Sequence, residues 1–120
     1  MKILFISPKW EKFPHWAYHL PQLGPLTVAG LTPREHEIAY LDEFVKPVDF
    51  DADADLIAIT VMTAQAGRAY QIADEFRRRG KRVVIGGIHP TIVPEEAGQH
   101  ADAVVIGEAE AVWSELCRDA

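Results

Sequence analysis

The chain has 120 residues, 48% of them apolar and 25% charged, with a formal net charge of −6 at pH 7 and one cysteine. This length suits a single domain, and the acidic balance argues against binding to nucleic acid or to an anionic membrane surface. The single cysteine, Cys117, excludes an internal disulfide, and no apolar run approaches the ~20 residues of a membrane helix, so we predict a cytoplasmic protein.

Five short apolar runs occur along the chain, separated by polar or helical segments. Short apolar runs bounded by turn residues are typical of buried strands in parallel sheets. The predicted strands cover residues 3–7, 37–42, 56–62, 83–85 and 103–106. The second run alternates apolar and polar residues, which predicts a strand nearer the sheet edge.

Helical patterns lie between these strands. One apolar stripe has helical spacing between the third and fourth strands, and Gly80 marks its end. The stripe consists of Ala66, Ala69, Tyr70, Ala73 and Phe76. A proline begins a short helix over 94–98, where two early glutamates suit the helix dipole. Residues 24–31 and 108–120 predict a first and a last helix, and 43–54 an acidic loop.

Alternating strands and helices predict right-handed crossovers and a parallel sheet covered by helices on both faces. Five strands in this length suit an α/β, doubly wound, flavodoxin-like (Rossmann-like) fold with strand order 2-1-3-4-5. In such sheets, ligands bind beyond the carboxyl ends of the strands. We therefore expect a crevice formed by the loops after Ser7, Thr60, Gly86 and Gly107.

The glycine pair after the fourth strand is the most informative local feature. Because Gly86 and Gly87 carry no Cβ, the backbone there can come close to something flat or bulky. A tight strand-to-loop turn explains the same pair without any ligand, and the sequence leaves both interpretations open.

Small, hydroxyl-bearing and imidazole side chains follow the third, fourth and fifth strands and are the candidate ligand contacts. They are Thr60, Val61, Met62, Thr63, Gly86, Gly87, His89, Pro90, Gly107 and Glu108. Simpler roles are open to several of them: the threonines as satisfied strand-end hydroxyls, Met62 as core filler, and His89 as a loop residue bonded to backbone. No catalytic residue and no metal ligand is assigned.

Other candidate sites have weaker support. His15 and His19 have the i, i+4 spacing of a zinc site, but prolines bracket them, and an aromatic loop that docks to a partner fits better. Glu108 and Glu110 suit acid–base chemistry, although a helix N-terminus attracts carboxylates for structural reasons. Asp42 has the position of a ribose-binding acid, but no Gly-x-Gly-x-x-Gly follows the first strand, which argues against a nicotinamide cofactor.

Six short motifs lie at the predicted crevice and around it. They are Gln22-Leu23-Gly24-Pro25-Leu26, Thr60-Val61-Met62-Thr63, Gly86-Gly87-Ile88-His89-Pro90-Thr91, Pro94-Glu95-Glu96-Ala97, Ala101-Asp102 and Val104-Val105-Ile106-Gly107-Glu108-Ala109-Glu110. Together they resemble the N-terminal cobalamin-binding domain of cobalamin-dependent radical S-adenosylmethionine (radical SAM) enzymes, over nearly the whole chain. The resemblance implies that the nucleotide tail of cobalamin threads into the sheet edge, past a hydroxyl after the third strand and the glycine pair after the fourth.

The resemblance also shows what the chain lacks. In methionine synthase-type domains, the histidine of an Asp-x-His-x-x-Gly motif is the lower cobalt ligand. This motif is absent here: the histidine would stand three residues before Gly24, and that position is Pro21. We therefore expect base-off cobalamin with no histidine from that position. The radical half of such enzymes needs Cys-x-x-x-Cys-x-x-Cys for a [4Fe–4S] cluster, which one cysteine cannot form. The cluster and S-adenosylmethionine are expected in a radical SAM partner domain, in cis or in trans.

We predict that residues 1–120 are one cobalamin-binding domain, a module of a longer radical SAM protein in which it presents the corrin for methyl transfer or related radical chemistry. The isolated chain is not expected to be an enzyme. One alternative is a flavodoxin-like interaction domain that has lost cobalamin binding and docks to a partner domain. Another is a small enzyme that uses Glu108 or His89 on a phosphorylated substrate, although the chain lacks a phosphate-cradling glycine loop.

Overall fold

The computed structural model describes residues 1–9, 30, 32–107 and 113–119. Its strands are β1 (Lys2–Ser7), β2 (Glu37–Asp42), β3 (Leu56–Thr60), β4 (Arg82–Gly86) and β5 (Ala103–Val104). Its helices are α1 (Ala66–Arg78), α2 (Ile88–Ile92), α3 (Pro94–Gly98) and α4 (Trp113–Asp119), and a 3-10 turn over Thr63–Gln65 precedes α1.

The five strands form one parallel sheet in the order β2-β1-β3-β4-β5, which confirms the predicted fold class. The register aligns the carboxyl ends of the strands, with Ser7 opposite Asp42 and Thr60 opposite Gly86. We call these four residues, with the loops that leave them and the loop after β5, the carboxyl edge. The crevice predicted from the sequence would lie along this edge.

Two strands are shorter than predicted. β3 ends at Thr60 rather than at residue 62, because the chain then bends into the 3-10 turn, although the Val61 N–H still donates to the Gly86 carbonyl oxygen at 2.9 Å. β5 has two residues rather than four, and its register with β4 ends at the pair Ile85 and Val104. Just beyond β5, the Val105 N–H donates to the Ile85 carbonyl oxygen at 2.9 Å.

Alternation of side chains along the strands divides the core into two layers. One layer joins the sheet to α1, whose Ala69, Ala73 and Phe76 are fully buried, as the apolar stripe predicts. The other layer joins the opposite face of the sheet to Trp113 and Cys117 of α4. Helices therefore cover both faces, as a doubly wound sheet requires.

Some sequence predictions concern residues outside the described ranges. They include most of the loop after the first strand, with His15 and His19, most of the predicted helix over 24–31, and Glu108 with Glu110. Within the described ranges, no helix has the length and apolar character needed to cross a lipid bilayer.

Candidate functional site

The carboxyl edge carries the candidate residues that the structure describes. Thr60 and Gly86 are register partners in β3 and β4, and the segments that follow them contact each other directly. The His89 N–H donates to the Val61 carbonyl oxygen at 3.1 Å, which holds the start of α2 against the end of β3. Glu108 lies outside the described residues.

Gly87 is required by the packing of the chain itself. Its backbone angles, φ 116° and ψ −166°, lie in a region open essentially to glycine alone. A Cβ there would stand 2.8 Å from the Val61 carbonyl oxygen and 3.0 Å from the Val61 nitrogen. The glycine pair was expected to let another group come close to the backbone. In the structure, the backbone of Val61 is the group that comes close to Gly87. At Gly86, a Cβ would meet the Val105 Cβ at 3.4 Å, which is an ordinary contact.

One hydroxyl that the sequence analysis did not select joins two loops of the carboxyl edge. The Thr91 hydroxyl donates to the Gly87 carbonyl oxygen at 2.8 Å and accepts from the Gly107 N–H at 2.9 Å. Little in the sequence indicates this role, because a threonine in a helix commonly bonds the carbonyl four residues back. The second bond, to Gly107, fixes the loop after β5 against α2.

Replacing Thr91 by valine keeps the shape of the side chain and removes both of these bonds. We expect the free energy of unfolding to fall by about 1 kcal/mol, the usual net contribution of a hydrogen bond or two at an exposed position. Urea denaturation of Thr91→Val measures this loss, and Thr91→Ser, which keeps the hydroxyl, is the matched control. An unchanged urea midpoint in Thr91→Val would show that other contacts hold the loop.

His89 is held by both of its ring nitrogens. Nδ1 lies 3.2 Å from the Thr63 hydroxyl oxygen, and Nε2 lies 2.6 Å from Glu96 Oε2. The same Glu96 oxygen accepts a hydrogen bond from the Tyr70 hydroxyl at 2.8 Å. From the sequence, Tyr70 was predicted to belong to the apolar stripe and Glu96 to interact with the helix dipole. Both assignments were incomplete, because these side chains also fix the ring of His89.

Electrostatics in this group favour an ionised Glu96. The hydrogen bond from Tyr70, and after it the one from His89, lowers the pKa of Glu96. Burial, and then the bond to Glu96, raises the pKa of the Tyr70 hydroxyl, which therefore stays protonated and acts as a donor. Tyr70 also stacks on His100 with ring centroids 4.1 Å apart, and His100 Nδ1 lies 2.8 Å from Asp74 Oδ1.

A buried glutamine ties the loop after β1 to the loop after β3. Gln65 is 1% exposed; its Nε2 donates to the Pro8 carbonyl oxygen at 2.6 Å, and its Oε1 accepts from the Met62 N–H at 2.9 Å. Since β1 and β3 are neighbours in the sheet, these bonds set the spacing of two loops of the carboxyl edge. The sequence analysis gave Gln65 no role.

A buried carboxylate holds the other side of the same loop. The Glu43 side chain is 4% exposed; it accepts from Arg68 Nη2 at 2.6 Å and from the Lys9 N–H at 3.1 Å. Burial acts to raise the pKa of Glu43, but the bonds from Arg68 and Lys9 outweigh it, and the net effect lowers the pKa. Lys9 stands two residues after β1, so Glu43 positions the beginning of the loop.

The outward surface of the carboxyl edge is partly apolar. Met62 is 36% exposed, Ile106 59% and Ile92 68%. Met62 is therefore not core filler, and neither isoleucine was among the predicted ligand contacts. A Cβ on Gly107 would meet nothing within 4 Å among the residues that the structure describes. Exposed apolar groups beside hydroxyls suit a large ligand that is only partly polar.

Metal-binding groups are not assembled in the part of the chain that the structure describes, where no three histidine, cysteine, aspartate or glutamate side chains converge on one position. Cys117 is 3% exposed, and burial raises the pKa of its thiol. A buried thiol of raised pKa is a poor nucleophile and a poor metal ligand.

Comparison with known proteins identifies a family. A family model described as the B12 binding domain matches residues 15–116 of the chain. No solved structure gives a significant match.

Among curated proteins, the chain is similar to methyltransferases. It is 51% identical over 98 residues to bacteriochlorophyllide d C-8(2)-methyltransferase of Chlorobaculum tepidum, covering 81% of this chain and 21% of that protein. It is 41% identical over 100 residues to bacteriochlorophyllide d C-12(1)-methyltransferase of the same organism, with coverages of 81% and 22%. An uncharacterized methyltransferase of Synechocystis is 35% identical over 94 residues, with coverages of 76% and 18%. The chain thus spans about a fifth of the length of these relatives.

Proposed function

The chain belongs to the B12-binding domain family, and from this premise we propose that it holds cobalamin for a catalytic domain of a longer protein. The observation that carries the proposal is the family match, which covers residues 15–116 and includes the loops of the carboxyl edge after β3, β4 and β5. Bound cobalamin supplies a cobalt ion that can carry a methyl group. The part of this chain is to bind the cofactor and to orient it.

The residues at the carboxyl edge fit the chemistry of the cofactor. A corrin has an apolar rim that bears amide side chains, and its nucleotide tail bears hydroxyl and phosphate groups. Met62 and Ile106 offer exposed apolar surface, and the exposed Thr63 offers a hydroxyl beside Met62. A Cβ on Gly107, next to Ile106, would meet none of the described residues within 4 Å. We assign these four residues, with Thr60, to contact with cobalamin.

The cofactor is proposed to bind base-off, with no cobalt ligand from His89. Both ring nitrogens of His89 are engaged, so ligation of cobalt would break the bond to Thr63 or the bond to Glu96. The Asp-x-His-x-x-Gly histidine is also missing from the sequence, where Pro21 stands. His89 therefore acts in this proposal through Thr63 rather than on the metal.

A radical SAM catalytic domain, in cis or in trans, is the partner that we propose. The support is the motif resemblance together with the two relatives named as bacteriochlorophyllide methyltransferases. A radical SAM cluster needs three cysteines and this chain has one, so the cluster and S-adenosylmethionine would belong to the partner domain. Methyl transfer is the reaction we propose for the whole protein, with residues 1–120 as its cobalamin-binding module. The free, buried thiol of Cys117 favours the cytoplasm as its compartment.

Reconstitution tests the cobalamin assignment. The purified chain is mixed with hydroxocobalamin, free cofactor is removed by desalting, and the visible spectrum is recorded. We expect the protein to retain a corrin with the base-off spectrum. A colourless protein would contradict cobalamin binding, and a base-on spectrum would contradict the proposed state of the cofactor.

Ile106→Asp is expected to weaken cobalamin binding about tenfold, because it replaces apolar surface by a charge against the corrin rim. The control is Ile38→Asp, since Ile38 is 46% exposed but lies near the amino end of β2, away from the carboxyl edge. Titration of each variant, followed by corrin absorbance, measures the dissociation constants. Equal affinities in the two variants would show that the corrin does not lie over Ile106.

A docking domain without a cofactor is the second candidate function, and one observation favours it. The contact with Val61 already explains why position 87 is glycine, without any ligand. In this case, the exposed side chains of Ile92 and Ile106 would meet the partner domain, and the reconstituted protein would stay colourless.

A further inference from the structure

We propose that Glu96 and His89 orient the Thr63 hydroxyl as a hydrogen-bond acceptor, so that Thr63 selects a corrinoid whose facing side chain is a primary amide. The inference rests on the proposed function and concerns the specificity of the same site. Thr63 is the residue that contacts the ligand, whereas His89 and Glu96 are positioning residues that act through it. Three steps lead from the geometry to this assignment.

The first step fixes the proton on His89. An ionised carboxylate is an acceptor only, and the bond from Tyr70 lowers the pKa of Glu96. The ring nitrogen that lies 2.6 Å from Glu96 Oε2 is Nε2, so Nε2 carries the hydrogen and donates it. The hydrogen of the Tyr70 hydroxyl goes to the same oxygen, at 2.8 Å.

The second step fixes the hydroxyl of Thr63. A neutral imidazole with its hydrogen on Nε2 has a lone pair on Nδ1. In the neutral ring, Nδ1 carries no hydrogen and lies 3.2 Å from the Thr63 oxygen, so in that state Thr63 donates its single hydrogen to the ring. The hydroxyl then has no hydrogen left for a ligand, but its oxygen keeps lone pairs, and the Thr63 side chain is exposed at the carboxyl edge.

The third step identifies the matching ligand group. A primary amide on the corrin periphery has N–H donors for these lone pairs, and a ribose hydroxyl on the nucleotide tail is a donor as well. A carboxylate is an acceptor only and would face the Thr63 oxygen without a hydrogen between them. A site built in this way prefers cobalamin to its monocarboxylic acids, in which one corrin amide has been hydrolysed.

Binding measurements test the selection. Thr63→Val should weaken cobalamin binding about tenfold, and Thr63→Ser, which restores the hydroxyl, should recover most of the loss. The loss should be the same with cobinamide, which lacks the ribose, if the donor is a corrin amide. The unmodified chain should also bind at least one of the separated monocarboxylic acids about tenfold less tightly than cobalamin, and Thr63→Val should abolish this difference.

The state of His89 provides a measurement that needs no cofactor. Nitrogen-15 NMR of the cofactor-free protein should show His89 with its hydrogen on Nε2 and an unprotonated Nδ1 in a hydrogen bond. Glu96→Leu should remove this preference and reduce the discrimination between amide and carboxylate, whereas the neighbouring Glu95→Leu should change neither. A hydrogen on Nδ1 in the unmodified protein would overturn the assignment.

The outcomes separate this inference from the proposed function. A chain that retains no cobalamin overturns both. A chain that retains cobalamin, but binds it equally well as Thr63→Val, overturns the role of Thr63 and leaves the proposed function in place. Loss of cobalamin binding by Thr63→Val with no loss of cobinamide binding would assign the donor to the nucleotide tail instead of the corrin.

Discussion

Gly87→Ala is expected to lower the free energy of unfolding by about 3 kcal/mol. Two causes add together at this position. The backbone angles, φ 116° and ψ −166°, are strained for any residue with a side chain, and the new Cβ would stand 2.8 Å from the Val61 carbonyl oxygen. Neither backbone segment can yield easily, because the Val61 N–H is bonded to Gly86 and the Val61 carbonyl oxygen to the His89 N–H. Urea denaturation followed by circular dichroism measures the loss.

The neighbouring glycine is the matched control for this prediction. At Gly86, an added Cβ would make an ordinary contact with Val105 at 3.4 Å, and φ there is not positive. Gly86→Ala should therefore cost less than about 1 kcal/mol. Similar losses in the two variants would contradict the strain at Gly87. Substitution of Gly87 would also lower cobalamin binding by destabilising the fold. This loss of stability therefore has to be measured before weaker binding is attributed to a side chain in the path of the nucleotide tail.

The fold was predictable because its signals are local. The five apolar runs lie in the strands of the sheet, and the spacing of Ala69, Ala73 and Phe76 matches the buried face of α1. Alternation of strand and helix then leaves few topologies, and the order 2-1-3-4-5 is one of the common ones.

The ends of the elements were not predictable from local pattern. Residues 61 and 62 continue the apolar run of β3, and 105 and 106 that of β5, so a strand over each was a fair expectation. β3 ends together with its partner strand, at the pair Thr60 and Gly86, whereas β5 ends at Val104, one register position before the end of β4. Pairing is a property of the sheet, and no single run carries information about it.

Contacts between residues that are distant in the sequence also limited what could be predicted about the site. Residue types pointed to the loops at the carboxyl edge as the binding site, which stays a prediction, but the partners of each side chain were not visible in the sequence. Thr63 and His89 are 26 residues apart, and Glu96 already had a sufficient explanation in the helix dipole. The role of Gly87 was open between ligand contact and packing; the distance to Val61 shows that packing requires glycine there, and contact with a ligand stays a prediction.

Polar contacts within the chain hold the carboxyl edge in place before any ligand binds. Gln65 joins Pro8, the first residue after β1, to the segment after β3, and Thr91 joins α2 to Gly107 after β5. Glu43 holds the loop after β1 from the side of β2. A binding site supported in this way loses little conformational entropy when the ligand binds.

Arg68→Leu is expected to destabilise the chain by about 3 kcal/mol at pH 7, since it leaves the carboxylate of Glu43 buried without its guanidinium. The Glu43 side chain is 4% exposed and that of Arg68 22%. The control is Arg78→Leu, which removes an exposed ion pair with Glu75, because such pairs contribute less than about 1 kcal/mol. Urea denaturation at a series of pH values compares the two variants.

The pH dependence of the Arg68→Leu effect follows from the direction of the pKa shift. Arg68 and Lys9 lower the pKa of Glu43 in the folded protein, so this contribution to stability is present above the unfolded value of about 4.3 and is lost as the pH falls through the folded value. In Arg68→Leu, burial is no longer outweighed by the guanidinium, so the pKa of Glu43 moves upward. The difference in stability between the unmodified chain and Arg68→Leu should therefore shrink as the pH is lowered toward and below about 4. A difference that stays constant over this range would show that Arg68 stabilises the fold by packing, and that the charge of Glu43 does not hold the loop after β1.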